Sequence, residues 1–154
     1  MNWYEEGEIQ FARMDSAGAI QPGGDQHLPT RAYTGDAGWD LYVSESVDIL
    51  PGQFADVPCG VGVALPEDTW GMLTGRSSTL RNRGLLVHQG VIDQGYRGPL
   101  FAGVFNLGSD VAVVEAGARI AQLIVVPMHV HRVEYVDRLR PGERGSAGFG
   151  SSGN

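Results

Sequence analysis

Five short stretches of the 154-residue chain set charged or hydroxyl side chains among glycines. In Gly90-Val91-Ile92-Asp93-Gln94-Gly95-Tyr96-Arg97-Gly98, the Gln94-Gly95 pair predicts a tight hairpin turn with Gly95 at positive φ. Asp93 and Tyr96 would then stand side by side, an acid and an aromatic ring offered to a ligand; an ordinary Asp-bearing turn reads the same way. Gly75-Arg76-Ser77-Ser78 places two hydroxyls and a guanidinium where a strand runs into a short helix. That combination suits phosphate oxygens, and equally a serine N-cap beside a surface arginine. Arg144-Gly145-Ser146-Ala147-Gly148-Phe149-Gly150-Ser151-Ser152-Gly153 can turn successive N–H groups toward a polyanion, with Phe149 free to cover a flat ligand. Its composition also fits a disordered linker. Ala37-Gly38-Trp39-Asp40-Leu41 carries a carboxylate that is either functional or a plain surface strand residue. Arg119-Ile120-Ala121-Gln122-Leu123 carries a glutamine in the most apolar strand, which needs a polar partner there.

Other chemistry is thin. His129 and His131 alternate on one strand face as half of a metal site, with no third ligand nearby in sequence. Cys59 is the single cysteine and lacks a basic neighbour, so it reads as core, and a reducing compartment is the simpler setting. All 11 residues counted as Lys+Arg are arginine. A lysine Schiff base and a Gly-Lys-Ser/Thr phosphate loop are therefore excluded. The net charge of -7 and pI near 4.9 disfavour binding to a nucleic-acid backbone. They do not exclude a small anionic ligand, which senses only the local field.

The elements that must position these residues are short and β-rich. Strands are expected at Glu8–Arg13, Trp39–Val43, Val47–Leu50, Phe54–Val57, Val61–Leu65, Trp70–Thr74, Leu100–Asn106, Val111–Val114, Arg119–Val126 and Arg132–Val136. One helix is expected at Ser77–Arg83, ended by Gly84. With 23 glycines and Pro/Gly punctuation between strands, this reads as a sandwich, jelly roll or barrel. Ser16–His27 and Pro141–Asn154 read as loops. The length suits one core. The acidic Met1–Glu6 and the absence of a long apolar run predict neither a secretory leader nor a membrane span.

All five clusters, in this order, resemble the five motifs of the trimeric deoxyuridine triphosphatases (dUTPases), with Leu28-Pro29-Thr30-Arg31 leading into the first. The resemblance implies an all-β, distorted jelly-roll or barrel-like subunit with one short helix. Residues 1–137 would form the β domain and residues 138–154 a mobile glycine-rich arm that closes over the site. It implies a cytoplasmic homotrimer (host cytoplasm, if viral) with active sites shared between subunits. The reaction would be hydrolysis of dUTP to dUMP and pyrophosphate with magnesium, removing dUTP and supplying dUMP for thymidylate synthesis. By the same resemblance Asp93 activates the attacking water, and Asp40 meets the metal indirectly, through water. Tyr96 packs beneath deoxyribose and leaves no room for a 2′-hydroxyl. The backbone of Gly90, Val91 and Ile92 reads uracil. Arg76, Ser77, Ser78 and Gln122 contact phosphates; Arg144 meets the terminal phosphate; Phe149 closes over uracil; Ser151 and Ser152 are further phosphate donors, and Gly150 between them and Phe149 also binds substrate.

The chain departs from that pattern in places. Ala147 and Trp39 replace commoner residues, Val87 stands where some members carry an asparagine, and Ser16–His27 reads as a surface insertion. A related deaminase of the same fold would need a glutamate on the strand after the hairpin, and Leu100–Asn106 holds no acid. A regulatory nucleotide-binding protein is the other alternative; Asp93 favours retained catalysis, since a pure binder needs no base.

Overall fold

The computed structural model describes residues 7–146. Its strands in chain order are β1 (Gln10–Arg13), β2 (Gly38–Tyr42), β3 (Val47–Ile49), β4 (Phe54–Pro58), β5 (Val61–Ala64) and β6 (Thr69–Gly75). The helix α1 (Ser77–Arg83) follows, then β7 (Leu85–Val87), β8 (Gly90–Ile92), β9 (Phe101–Asn106), β10 (Ala112–Val114) and β11 (Arg119–Pro127). Every strand pairing is antiparallel. The strands form a four-stranded sheet in the order β2-β11-β6-β8, a three-stranded sheet β4-β9-β7, and the pairs β1-β5 and β10-β3. The result is a distorted jelly roll whose sheets do not close into a barrel.

One core joins these sheets. Leu41, Val57, Leu73, Leu85, Val104, Val114, Ile120 and Leu123 are almost wholly buried and come from several different strands. Each such side chain contributes about 1.5–3 kcal/mol of hydrophobic stabilisation. The central strand β11 shows why so few elements suffice. It pairs with β2 on one side and β6 on the other, and buries Ile120, Ala121 and Leu123. The buried Asn106 ends β9 with all its polar atoms satisfied: its amide donates to Ile49 O and Asp110 O, each at 2.8 Å, and its carbonyl accepts from Gly108 N.

The helix has the expected bounds. Gly84 ends it in the left-handed region at φ 63°, its N–H donating to Leu80 O. The buried Thr79 ties it to β11 by donating to Ile120 O at 2.7 Å. Its start differs from a serine cap, because Arg76 occupies the cap position and no side-chain hydrogen bond closes the first turn.

Three further expectations are corrected. Arg132–Val136 is not a strand: residues 129–146 are exposed throughout, and Tyr135 is 96% exposed. Alternating apolar residues make a strand only when a neighbouring strand takes up the N–H and C=O groups, and β11 has ended at Pro127. The Gly90–Ile92 arm of the expected hairpin pairs with β6 instead of folding back on the residues after Gly95, while Leu85–Val87, which the sequence does not mark as a strand, pairs with β9. Gly95 does not adopt positive φ, and the residues just after it form no strand. Ser16–His27 is a loop, as expected, and an organised one. The Asp15 carboxylate accepts from Ala17 N, Ala19 N and Gln21 Nε2, and these bonds, led by the one from Ala19, hold its pKa below the usual carboxylate value.

Candidate active site

The strand order places two groups of candidate residues at different ends of one sheet. In β2, β11 and β6, Asp40 sits opposite Gln122, and Gln122 opposite Thr74. Arg76 follows immediately after β6. Asp40, Gln122 and Arg76 therefore gather at one end. The edge strand β8 runs back along β6, with Gly90 opposite Leu73 and Ile92 opposite Gly71. Asp93 thus leaves the sheet level with Trp70. Six residues of extended chain separate that level from Arg76, roughly 20 Å at ~3.3 Å per residue.

Arginine and carboxylate are interlocked in the first group. Arg76 Nε donates to Asp40 Oδ1 at 2.8 Å, and Arg119 Nη1 approaches Asp40 Oδ2 at 3.3 Å. Arg76 Nη1 also donates to Arg119 O at 3.2 Å, while the Arg76 backbone N–H donates to Ile120 O. Asp40 is fixed through its own backbone, which exchanges two hydrogen bonds with Thr30. Arg119 lies over the Tyr42 ring, 5.8 Å from its centre. Two cations around one carboxylate leave a net positive charge beside the exposed Ser77 and the half-buried Ser78. Arg76 and Ser77 also line a hollow of about 280 Å³ between β6, α1 and β7.

Gln122 has the structural partner its burial demands, its amide donating to Gly75 O at 3.0 Å. Its other end packs directly on Gly38, where a Cβ would collide with the Gln122 carbonyl oxygen. The glycine of the first cluster is there for this contact. Trp39 faces away from the group, packed on Phe11 and covered by the Arg31 guanidinium at 4.2 Å.

The second group is a turn. The Tyr96 N–H donates to Asp93 O at 3.0 Å, bringing acid and ring together as the Gln94-Gly95 pair predicts. The Tyr96 hydroxyl donates to Pro99 O at 2.9 Å. Val91, Ile92, Asp93, Tyr96, Pro99 and Phe101 line an open pocket of about 280 Å³. Asp93 and Tyr96 are both exposed at its rim. As an edge strand, β8 leaves one row of N–H and C=O groups outside the sheet ladder.

Arg144 is exposed in a turn of the C-terminal run, and the structure does not bring it to either group. Phe149, Gly150, Ser151, Ser152 and Ala147 lie outside the described residues. His129 and His131 stand 6.2 Å apart between ring centres, and among the described residues no set of three metal-binding side chains converges on them or elsewhere. Cys59 is buried, and burial pushes its thiol up to about 12, so it is inert. Arg119 and Tyr42 escaped the sequence reading as site residues. The signal for Arg119 was its place at the head of β11, opposite Tyr42 and one strand from Asp40.

Comparison with known proteins gives one answer. The dUTPase family model matches residues 25–153. The deoxyuridine 5'-triphosphate nucleotidohydrolase of Leifsonia xyli is 42% identical over 134 residues, covering 83% of this chain and 86% of its own. That of Gloeobacter violaceus is 40% identical, covering 82% and 88%. The dUTPase of Staphylococcus bacteriophage 80alpha, solved with dUPNHPP, superposes with a TM-score of 0.82 at 27% identity, covering 96% of this chain and 99% of that one. With its jelly-roll sheets, its Asp93–Tyr96 turn and its ordered motif clusters, the chain belongs to the dUTPase family, the hydrolases of deoxyuridine 5'-triphosphate.

Proposed function

We propose that hydrolysis of dUTP yields dUMP and pyrophosphate, with Asp93 activating the water that attacks the α-phosphorus. The observation that carries this is the Asp93–Tyr96 turn at the rim of the β8 pocket. An exposed carboxylate there can accept a proton from water beside a bound nucleotide. The free edge of Gly90–Ile92 offers the donors and acceptors that a uracil edge needs, and Tyr96 beneath the sugar excludes a ribose 2′-hydroxyl.

Arg76, Ser77, Ser78 and Gln122 are proposed as the phosphate contacts, with Arg144, Phe149, Gly150, Ser151 and Ser152 closing over the nucleotide in an arm of residues 138–154. Gln122 uses one amide N–H on Gly75 and keeps the second for a ligand. Asp93 and Arg76 stand at opposite ends of β6. This supports sites shared between copies, and a homotrimer with three of them. No nucleic-acid or membrane partner is proposed. No helix among the described residues is long and apolar enough to cross a bilayer, and the cytoplasm is the proposed location.

Magnesium fits this chain only in a particular way. Among the described residues no three metal-binding side chains converge, and both oxygens of Asp40, the expected link through water, are engaged by guanidinium groups. The ion would be held by phosphate and water oxygens, a mode that suits its octahedral, water-rich coordination. Bound there, it would neutralise phosphate charge as the α-phosphorus is attacked. Pyrophosphate release from dUTP, dCTP, dTTP and UTP, with and without magnesium, tests the proposal. Release from dUTP alone, and only with magnesium, is expected; comparable release from dCTP or UTP overturns the specificity.

A further inference from the structure

We infer that Gln94 is a positioning residue for Asp93: its side-chain carbonyl hangs the turn that bears the acid on Asp68, the residue just before β6. The inference rests on the proposed role of Asp93 as the base.

A base must lie within hydrogen-bond reach, about 2.6–3.2 Å, of the proton it takes. A misplacement of about 1 Å can cost 10²-fold in rate. Asp93 does nothing to place itself. It is exposed, and among the described residues its carboxylate makes no hydrogen bond or ion pair. Its place is therefore the place of its turn. Most bonds of that turn are internal. Tyr96 N–H donates to Asp93 O and the Tyr96 hydroxyl to Pro99 O. Arg97 Nη1 donates to both Gln94 O and Tyr96 O at 2.8 Å. These bonds shape the turn without fixing where it stands. Its ends are held by backbone, Ile92 opposite Gly71 and Leu100 N–H donating to Val61 O at 2.9 Å. Between them, among the described residues, one side-chain bond leaves the turn: Asp68 N–H donates to Gln94 Oε1 at 3.2 Å.

Asp68 is a firm point to hang from. With Ile92 opposite Gly71, Gln94 comes level with Thr69, beside Asp68. On the other side of β6, Pro127 is opposite Thr69, so Met128 comes level with Asp68. Asp68 thus lies between two outgoing chains and bonds to both, its C=O accepting from Met128 N–H at 2.8 Å. In an extended residue the N–H and C=O face the same neighbour. Asp68 serves two because it is the one non-glycine residue at positive φ among the described residues, at 54°, a conformation aspartate tolerates better than most. The Thr69 hydroxyl closes the same turn on Pro66 O at 2.7 Å. The acid's turn and the exposed run that leads from Met128 to Arg144 therefore share one braced residue.

The test is a cycle of Gln94→Met and Asp93→Asn, with Gln94→Glu as the restoring variant. It is read as kcat for dUTP in magnesium and as dUPNHPP affinity by calorimetry. Asp93→Asn alone tests the reading of the base: parent turnover in it would defeat that reading, whatever Gln94 does. Gln94→Met keeps length and bulk and loses the acceptor. Its kcat should fall about tenfold, the scale of one hydrogen bond, while KM and dUPNHPP affinity stay within about twofold. Gln94→Glu keeps an acceptor at the same reach. It should regain most of that loss on the alkaline plateau of the pH profile, where both carboxylates are charged. The double variant Asp93→Asn with Gln94→Met should be no slower than Asp93→Asn. Parent kcat in Gln94→Met overturns the inference. So does a matching loss in Gln94→Glu, or a further loss in the double variant, since Gln94 would then act other than by its carbonyl on Asp93. Equal damage to kcat and to dUPNHPP affinity shows a merely structural residue and overturns it too.

Discussion

The Tyr96 hydroxyl donates to the Pro99 carbonyl at 2.9 Å, so the ring is anchored at its far end as well as through its backbone. A ring so held can act as a rigid floor for a sugar. Tyr96→Ala should lower the dUTP-to-UTP ratio of kcat/KM by at least about tenfold, since steric exclusion of a hydroxyl is lost. Tyr96→Phe keeps the ring but frees its tip, and should fall between. An unchanged ratio in the alanine variant would remove Tyr96 from sugar selection.

Asp93→Asn keeps size and hydrogen bonding but loses the base. Its kcat should drop about 10²–10⁴-fold, the usual worth of a general base. Its affinity for dUPNHPP, measured by calorimetry, should stay within about twofold, less than one lost hydrogen bond. Turnover at the parent rate would assign the base elsewhere.

Removing residues 141–154 takes away Arg144 and the segment beyond it. Because residues 129–146 are exposed and contribute nothing to the core, the thermal midpoint and the oligomeric state on sizing should be retained. Most of the activity should go. A shift to monomers would make the arm an assembly element instead.

Cys59 supplies a pH test. Its folded value of about 12 lies above the ordinary thiol value of 9.0, because burial disfavours the thiolate. The neutral thiol's contribution to stability is complete below pH 9 and is lost as pH rises from there toward 12. Urea midpoints should therefore decline from pH 9 upward, and less steeply in Cys59→Ala. At about pH 9, at the ordinary thiol value, a thiol reagent should label the unfolded chain and spare the folded one.

Most of the β-rich frame was readable because the strands of this chain are short runs of β-branched and aromatic residues bounded by glycine and proline. The helix was readable to the residue, since Gly84 marks its end. Arg132–Val136 misled because its alternation is that of a strand, while pairing depends on a neighbour that local sequence does not name. The Asp93–Tyr96 turn was legible, but not its context. Whether Gly90–Ile92 folds back on the residues beyond Gly95 or pairs with β6 is decided by tertiary packing. The site residues stood out by type, yet their division between two ends of a sheet is a property of register. So is the Asp40–Arg76–Arg119 interlock, whose members lie far apart in sequence.

The run of β8 alongside β6 has a genetic consequence. Arg76→Ala and Asp93→Asn damage opposite ends of the sheet, so each variant keeps the half the other lacks. If a site draws its acid from one copy and its guanidinium from another, two inactive proteins refolded together will yield active enzyme. With random mixing in a ring of identical contacts, about a quarter of the sites would join two intact halves. Sites completed within single chains would recover nothing.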